Sequence, residues 1–283
     1  MPRFALCALA GVIVLVAAGI GLAPGAPRIF ADKSANAVPV DVELVIAVDI
    51  SYSMDPEEQA LQREGYVHAL TAPEFLNALK GGMHGLIAVA YVEWAGISEQ
   101  RLVMPWRLID GETSAAAVAS DIMRAPYRRA FRTSIAGALR FSAPLFDGNG
   151  FHGFRRVIDV SGDGTNNQGP LVTMIRDEVV AKGITINGLP IMLKRPNAAT
   201  MDIEELDIYY EDCVIGGPGA FVVPIRDREK FKEATRTKLV LEIAGRVSEA
   251  RVIPAQLRAP RISCTIGERM WHERWGSGGI DFR

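Results

Sequence analysis

The chain lacks a strong excess of charge of either sign, and histidine is scarce. Lys and Arg number 31 against 33 Asp and Glu, for a formal net charge of -2, which gives no electrostatic reason to expect nucleic-acid binding. The 4 histidines follow no metal-ligand spacing. The sequence also has no internal repeat and no low-complexity block. Its 49% hydrophobic and 23% charged residues are typical of a globular domain and exclude a disordered or fibrous chain.

Cysteine is rare as well, with 3 in the whole sequence. Cys7 lies in an uncharged N-terminal run and has the wrong neighbours for a lipoprotein site. The other two, Cys213 and Cys264, can pair if the protein reaches an oxidising compartment. Such a bridge would tie the C-terminal part of the chain to its body. Two free, partly buried thiols are the alternative.

The N-terminal segment has the pattern of an export signal. Residues 4–23 contain no charged side chain and directly follow Arg3; small residues and a cleavage-like Ile29-Phe30-Ala31 come later. This order predicts a secretory signal peptide over residues 1–31. The apolar run is nearly long enough to span a bilayer, so an uncleaved inner-membrane anchor is the alternative. Both place the rest of the chain outside the cytoplasm, in the periplasm or secreted.

Beyond a polar linker at 32–40, apolar strand patterns alternate with helix patterns. Strands are predicted at 42–48, 86–94, 101–106, 157–160, 184–193 and 220–223, and helices at 56–69, 113–123, 133–146, 171–182 and 227–246. The alternation predicts an α/β domain over 41–246, with a doubly wound, mostly parallel sheet and helices on both faces. Residues 247–283 are expected to form an extension that lies over the domain or is partly disordered. Asp159 falls within a predicted strand and is expected to pair with Arg155 or Arg156, or to lie near the strand end.

Three oxygen-bearing side chains follow the first predicted strand. Asp49, Ser51 and Ser53 stand at alternate positions, and alternate side chains share one face of an extended segment. A carboxylate and two hydroxyls are hard donors that suit Mg²⁺, Mn²⁺ or Ca²⁺ rather than zinc or copper. In α/β sheets, ligands bind at the carboxyl ends of the strands. By itself, the pattern is also typical of a polar turn ahead of a helix that begins at Asp55, because Ser and Asp are common residues.

The pattern Asp-x-Ser-x-Ser-Met at residues 49–54 resembles the metal-ion-dependent adhesion site (MIDAS) of von Willebrand factor A domains, which have a Rossmann-type α/β fold. Two further elements match in the family's order: Thr133 as the threonine that begins a helix, and Asp163 as the aspartate followed by glycine after a strand. Tyr52 departs from the family, which usually has a small residue there, and its ring would narrow access or contact a partner. More narrowly, residues 209–222 resemble the DUF1194 group of A-like domains, which has no assigned activity to carry over.

The resemblance implies a role for each residue at the rim of the sheet. Ser51 and Ser53 would bind the metal directly, Thr133 directly or through water, and Asp49 and Asp163 would orient waters and balance charge. An Asp or Glu carboxylate of a protein partner would take the remaining position, in keeping with the ligands that Mg²⁺ accepts. The implied function is metal-dependent, adhesion-type protein binding without catalysis.

Two other functions are compatible with these residues. Gly-Asp-Gly at 162–164, with Asn167 after it, resembles the magnesium loop of haloacid dehalogenase-type phosphatases, in which Asp49 would be the nucleophile. The second acid of those enzymes is Ser51 here, which leaves no obvious general acid. The other alternative is an A-like domain that holds no metal and acts as a docking surface.

Overall fold

The computed structural model describes residues 36–196, 201–245 and 259–276. The predicted signal peptide or anchor at 1–31 lies outside these ranges, and the predicted C-terminal extension is described only over 259–276. Within the described ranges, no helix combines the length and the apolar character needed to cross a bilayer.

A five-stranded sheet forms the centre of the domain. Its spatial order is β3 (Gln100–Ile109), β2 (Ile87–Trp94), β1 (Val38–Asp49), β4 (Phe151–Gly162) and β5 (Ile184–Pro190). Neighbouring strands are parallel except for β3, which runs antiparallel to β2. β1 begins inside the predicted linker and takes the central position, because every residue from 40 to 51 is buried and an apolar run of this kind suits a strand covered on both faces.

Helices cover both faces of the sheet, which confirms the predicted fold class. One face carries α1 (Pro56–Leu70), α2 (Pro73–Lys80), α3 (Glu112–Arg124) and α7 (Phe231–Ala244). The other carries α4 (Ile135–Ser142), α5 (Val172–Ala181) and α6 (Leu206–Tyr209), with a π-helical turn at Tyr210–Val214 after α6. The two cores meet β1 on alternate residues: Leu44 and Ile46 face the first set of helices, and Val45 and Ala47 face the second.

Several predicted elements differ in the structure. The strand predicted at 220–223 is wrong: this segment makes only isolated bridges to β5, such as Val222 to Gly188. Pro224 follows it and has no N–H with which to extend a ladder. The helix predicted from 133 begins at Ile135, after Ser134 accepts a hydrogen bond from Gly137 N as its N-cap. Three short helices, α2, α6 and α8 (Ile266–Trp275), had no prediction.

A buried charge cluster links α7 to the sheet. It consists of Asp159 on β4 with Lys238 and Glu242 on α7, all fully buried. Lys238 Nζ lies 2.6 Å from Asp159 Oδ1 in an ion pair, and it donates a 2.6 Å hydrogen bond to Glu242 Oε1. Tyr66 Oη donates to the other oxygen of Asp159 at 3.2 Å. The expected pairing of Asp159 with a neighbouring arginine of its own strand is therefore wrong, because the partner comes from a helix far along the chain.

The segment ahead of α8 is joined covalently to the domain. Cys213, in the π-helical turn, and Cys264 form a disulfide with their Cα atoms 5.4 Å apart. Ile262, Cys264 and Ile266 pack against the core on the α4–α5 face. The described part of the C-terminal extension therefore lies over the domain.

Candidate metal site

The sheet register brings two of the expected site residues to one edge. Val48 of β1 pairs with Ser161 of β4 in parallel register. Asp49 is the last residue of β1, and Asp163 directly follows the end of β4. Because the carboxyl ends of adjacent parallel strands lie side by side, both carboxylates point toward the edge where α/β proteins bind ligands.

The loop after β1 connects the two carboxylates through its serines. Asp49 Oδ1 accepts a hydrogen bond from Ser51 N at 2.7 Å, which fixes the turn. The hydroxyls of Ser51 and Ser53 are 2.7 Å apart. Ser53 Oγ donates to Asp163 Oδ1, also at 2.7 Å. Four of the five expected residues therefore form one continuous chain of polar contacts.

Thr133 reaches the same place from the loop before α4. Thr133 N donates to Asn167 Oδ1 at 3.0 Å, and Asn167 N donates to Thr133 O at 2.8 Å, so the loop after β4 is bonded to the loop before α4. A Cβ atom added to Gly164 would lie 3.6 Å from Thr133 Oγ1. The Thr133 hydroxyl therefore borders the Asp163 loop, and the structure brings all five expected residues together.

These residues are more buried than expected. Asp49, Ser51, Thr133 and Asp163 are each at most 5% exposed, whereas the Tyr52 ring is 47% exposed at the rim. Asp49 Oδ2 is buried and has no hydrogen-bond partner among the described residues. A Cβ at Gly162 would lie 2.8 Å from this oxygen, so only glycine leaves room for it. An unsatisfied buried carboxylate oxygen is costly.

Burial shifts both carboxyl groups of the site toward their protonated forms. Burial raises the pKa of Asp49 well above its usual range, and the nearby Asp163 carboxylate raises it further. Burial also raises the pKa of Asp163 to about 6, against the opposing effects of the Ser53 hydrogen bond and the Lys194 ammonium. A divalent cation would offset the repulsion between the two carboxylates.

Lys194 is a charged neighbour that the sequence analysis missed. Its Nζ lies 3.3 Å from Asp163 Oδ2 and also contacts the Glu58 carboxylate and the Ser53 carbonyl oxygen. Glu58 is held there by a capping box with Asp55 at the start of α1. Lys194 follows β5 in a segment without any recognisable motif, so no sequence signal points to it.

The donor set fits a hard divalent cation. Over the described ranges, no group of three or more His, Cys, Asp or Glu side chains is placed to hold a metal. The candidate site is of a different kind, with two carboxylates and three hydroxyls, which are the oxygen donors that Mg²⁺, Mn²⁺ and Ca²⁺ accept. The partnerless Asp49 Oδ2 agrees with this assignment.

The phosphatase alternative requires an acidic side chain at two positions, 51 and 167, and neither position has one. Ser51, where those enzymes have their second acid, contacts Ser53. The side chain of Asn167, where they have the final acid, bonds to the backbone of Thr133. The local structure therefore uses both residues to hold the loops together.

Known proteins share this fold. A family model described as "Protein of unknown function (DUF1194)" matches residues 39–247. A comparison with curated protein sequences finds no match. The pilus adhesin SpaC from Lactobacillus rhamnosus GG is 14% identical, with a TM-score of 0.52 over 72% of this chain and 30% of SpaC. Proximal thread matrix protein 1 from the mussel byssus, solved with a zinc-occupied MIDAS motif, is also 14% identical, with a TM-score of 0.50 over 71% of this chain and 46% of that protein.

At this level of identity the two structures show the fold alone, and this chain spans less than half the length of either protein. The family match is broader, because it covers nearly the whole described domain. The chain therefore belongs to the DUF1194 family and has a von Willebrand factor A-like α/β fold.

Proposed function

We propose that this protein is an exported, adhesion-type binding protein that holds a divalent cation and uses it to bind a carboxylate of a protein partner. The cation would be Mg²⁺, Mn²⁺ or Ca²⁺, held by Asp49, Ser51, Ser53, Thr133 and Asp163. One observation carries the proposal. Oxygen-bearing side chains from three distant stretches of chain converge at one edge of the sheet, around a buried carboxylate oxygen that has no partner among the described residues.

The surroundings of each side chain support a distinct role. Asp49 uses Oδ1 to fix the loop and leaves Oδ2 to orient a metal-bound water. The adjacent hydroxyls of Ser51 and Ser53 serve as direct ligands, and the Thr133 hydroxyl approaches from the opposite loop. Asp163 balances charge. A bound divalent cation would supply the positive charge that attracts the partner carboxylate.

Export is part of the same proposal. It is supported by the N-terminal pattern at residues 1–31 and by the disulfide between Cys213 and Cys264, since disulfides persist in oxidising compartments such as the periplasm. The adhesin SpaC, which shares the fold, makes an adhesive role reasonable to test.

The metal site is tested by calorimetry on the purified protein with Mg²⁺, Mn²⁺, Ca²⁺ and Zn²⁺. We expect binding of at least one of the first three ions. Asp163→Asn and Ser51→Ala should weaken that binding by about 10- to 100-fold, because disturbed metal ligands and their supports cause losses of this size. At a metal concentration 100 times the Kd, the wild-type protein should also gain about 2.7 kcal/mol of unfolding free energy.

Asp147→Asn is the matched control. Asp147 is exposed and lies just before β4 begins, at the opposite edge of the sheet from the site, so this variant should bind metal normally. No heat with any ion, together with no thermal shift, would favour a metal-free docking domain. Normal metal binding in Asp163→Asn would contradict the assignment of these five residues to the metal site.

Partner binding needs a separate assay. A pull-down from envelope extract should capture a protein in Mg²⁺ and release it in chelator, and Ser51→Ala should not capture it. A metal-independent capture that Ser51→Ala leaves intact would contradict the proposed role of the cation.

A further inference from the structure

The loop between α3 and α4 lies directly against the candidate metal loop. Ala130 N donates to Ile50 O and Tyr52 N donates to Ala130 O, both at 3.0 Å, so the two loops form a short parallel bridge at Ser51. The same connection leads into Thr133. Residues 124–132, here termed the arginine loop, are thus held beside the proposed cation by backbone hydrogen bonds.

The arginine loop is strongly basic. Its sequence Arg-Ala-Pro-Tyr-Arg-Arg-Ala-Phe-Arg contains four arginines and no acidic residue. The ion pair that Arg128 makes among the described residues is with Glu99, at 4.0 Å and with both side chains about half exposed, and such surface pairs contribute little. Arg129 contacts no carboxylate among the described residues; it donates to Tyr52 O at 2.7 Å instead. Part of the positive charge of the loop is therefore not neutralised by the fold.

Aromatic rings stand exposed among these arginines. Tyr127 is 54% exposed and Phe131 is 74% exposed. The rings of Phe131 and Tyr52 have centroids 4.4 Å apart, and the Arg129 guanidinium lies 4.7 Å from the Tyr52 ring centroid. The exposed rings of Tyr52 and Phe131 thus adjoin an arginine, and Arg and Tyr are among the residues most enriched where interfaces gain their binding energy.

We propose that the arginine loop and Tyr52 form a docking surface for an acidic segment of a protein partner. The inference rests on the proposed function, because one carboxylate of that segment would enter the metal site. Further Asp or Glu residues beside it would pair with Arg128 and Arg129, since guanidinium groups bind carboxylates with two parallel hydrogen bonds. An apolar side chain of the segment would cover the ring pair of Tyr52 and Phe131. A polypeptide supplies such a side chain, whereas a polyuronate chain carries its carboxylates on hydroxyl-bearing sugar rings and has no apolar side chain.

The test uses fluorescence anisotropy with two labelled peptides in Mg²⁺. Both contain a central Asp next to a Leu, and the flanking residues are Glu in one and Gln in the other. We expect the Glu peptide to bind about tenfold more tightly at low salt, and this advantage to fall as salt rises. The double variant Arg128→Gln/Arg129→Gln should lose the advantage. Arg128→Gln alone, whose side chain makes no contact with the metal loop among the described residues, should lose part of the advantage and keep its affinity for Mg²⁺ and for the Gln peptide.

The double variant Arg140→Gln/Arg236→Gln is the control, because it removes the same charge from α4 and α7 rather than from the arginine loop. It should keep the advantage of the Glu peptide. Phe131→Ser should weaken the binding of both peptides equally. When the Leu of the peptides is replaced by Ser, Phe131→Ser and the wild-type protein should bind them with nearly the same affinity.

The two proposals fail in different ways. Equal affinity for the Glu and Gln peptides, with Mg²⁺ binding intact, would overturn the docking surface and leave the metal site standing. Absence of Mg²⁺ binding in calorimetry would overturn the metal site itself. Arginine-dependent binding of polygalacturonate in place of the Glu peptide would overturn the assignment to a protein partner.

Discussion

Gly162→Ala gives the sharpest test of the site geometry. A Cβ on residue 162 would lie 2.8 Å from Asp49 Oδ2, and ordinary contact begins near 3.4 Å, so the carboxylate must retreat by about 0.6 Å. A carboxylate displaced by this much would no longer orient the metal-bound water assigned to it. We therefore expect Mg²⁺ binding to weaken by about 10- to 100-fold. Overpacking should also lower the free energy of unfolding by about 1–3 kcal/mol.

Gly164→Ala is a matched control in the same loop. Its added Cβ would lie 3.6 Å from Thr133 Oγ1, which is ordinary van der Waals contact, and neither glycine has a φ in the left-handed region. Calorimetry with Mg²⁺ and urea unfolding on both variants separate the two effects. Equal Mg²⁺ affinity in Gly162→Ala and Gly164→Ala would refute the role assigned to Asp49 Oδ2.

Three further substitutions test separate contacts. Lys238→Met leaves two buried carboxylates without their cation, so urea unfolding at pH 8 should show a loss of about 3–5 kcal/mol. The loss should shrink toward pH 5, because burial raises the pKa of Glu242, and protonation of Glu242 removes one of the two unpaired charges in the variant. An equal loss at both pH values would contradict this reasoning. Lys194→Met removes the ammonium 3.3 Å from Asp163 and should tighten Mg²⁺ binding roughly 5- to 10-fold in calorimetry, whereas weaker binding would mean that Lys194 mainly holds Asp163 in place. Cys264→Ser opens a bridge that spans 51 residues and should cost about 2–4 kcal/mol in denaturation; reductant should reproduce that loss in the wild-type protein and leave the variant unchanged.

Local patterns predicted much of this fold because they depend on neighbouring residues alone. The run of β-branched and apolar residues at 42–48, broken only by Glu43, suits a strand covered on both faces. Pro56 marked the first turn of α1, and the capping pair of Asp55 and Glu58 now explains why that helix begins there. The segment at 220–223 had the same apolar character but lies along β5 at the sheet edge, where Pro224, which has no N–H, separates the isolated bridges at Val222 and Ile225.

The five candidate ligands were recognisable in the sequence because each belongs to a short motif at the end of a strand or at the start of a helix. Their burial, the partnerless Asp49 Oδ2 and the ammonium of Lys194 were not recognisable there. These properties depend on how the loops after β1, β4 and β5 pack against one another.

What the sequence by itself determined was most of the order of strands and helices and the short motifs that carry the candidate oxygen donors, since periodicity and motif spacing are properties of adjacent residues. Tertiary structure alone decided which distant groups meet. Asp159 pairs with Lys238 of α7 rather than with an arginine of its own strand, and the arginine loop bonds to the backbone beside Ser51. Such pairings follow from sheet register and helix packing, which no single stretch of sequence encodes.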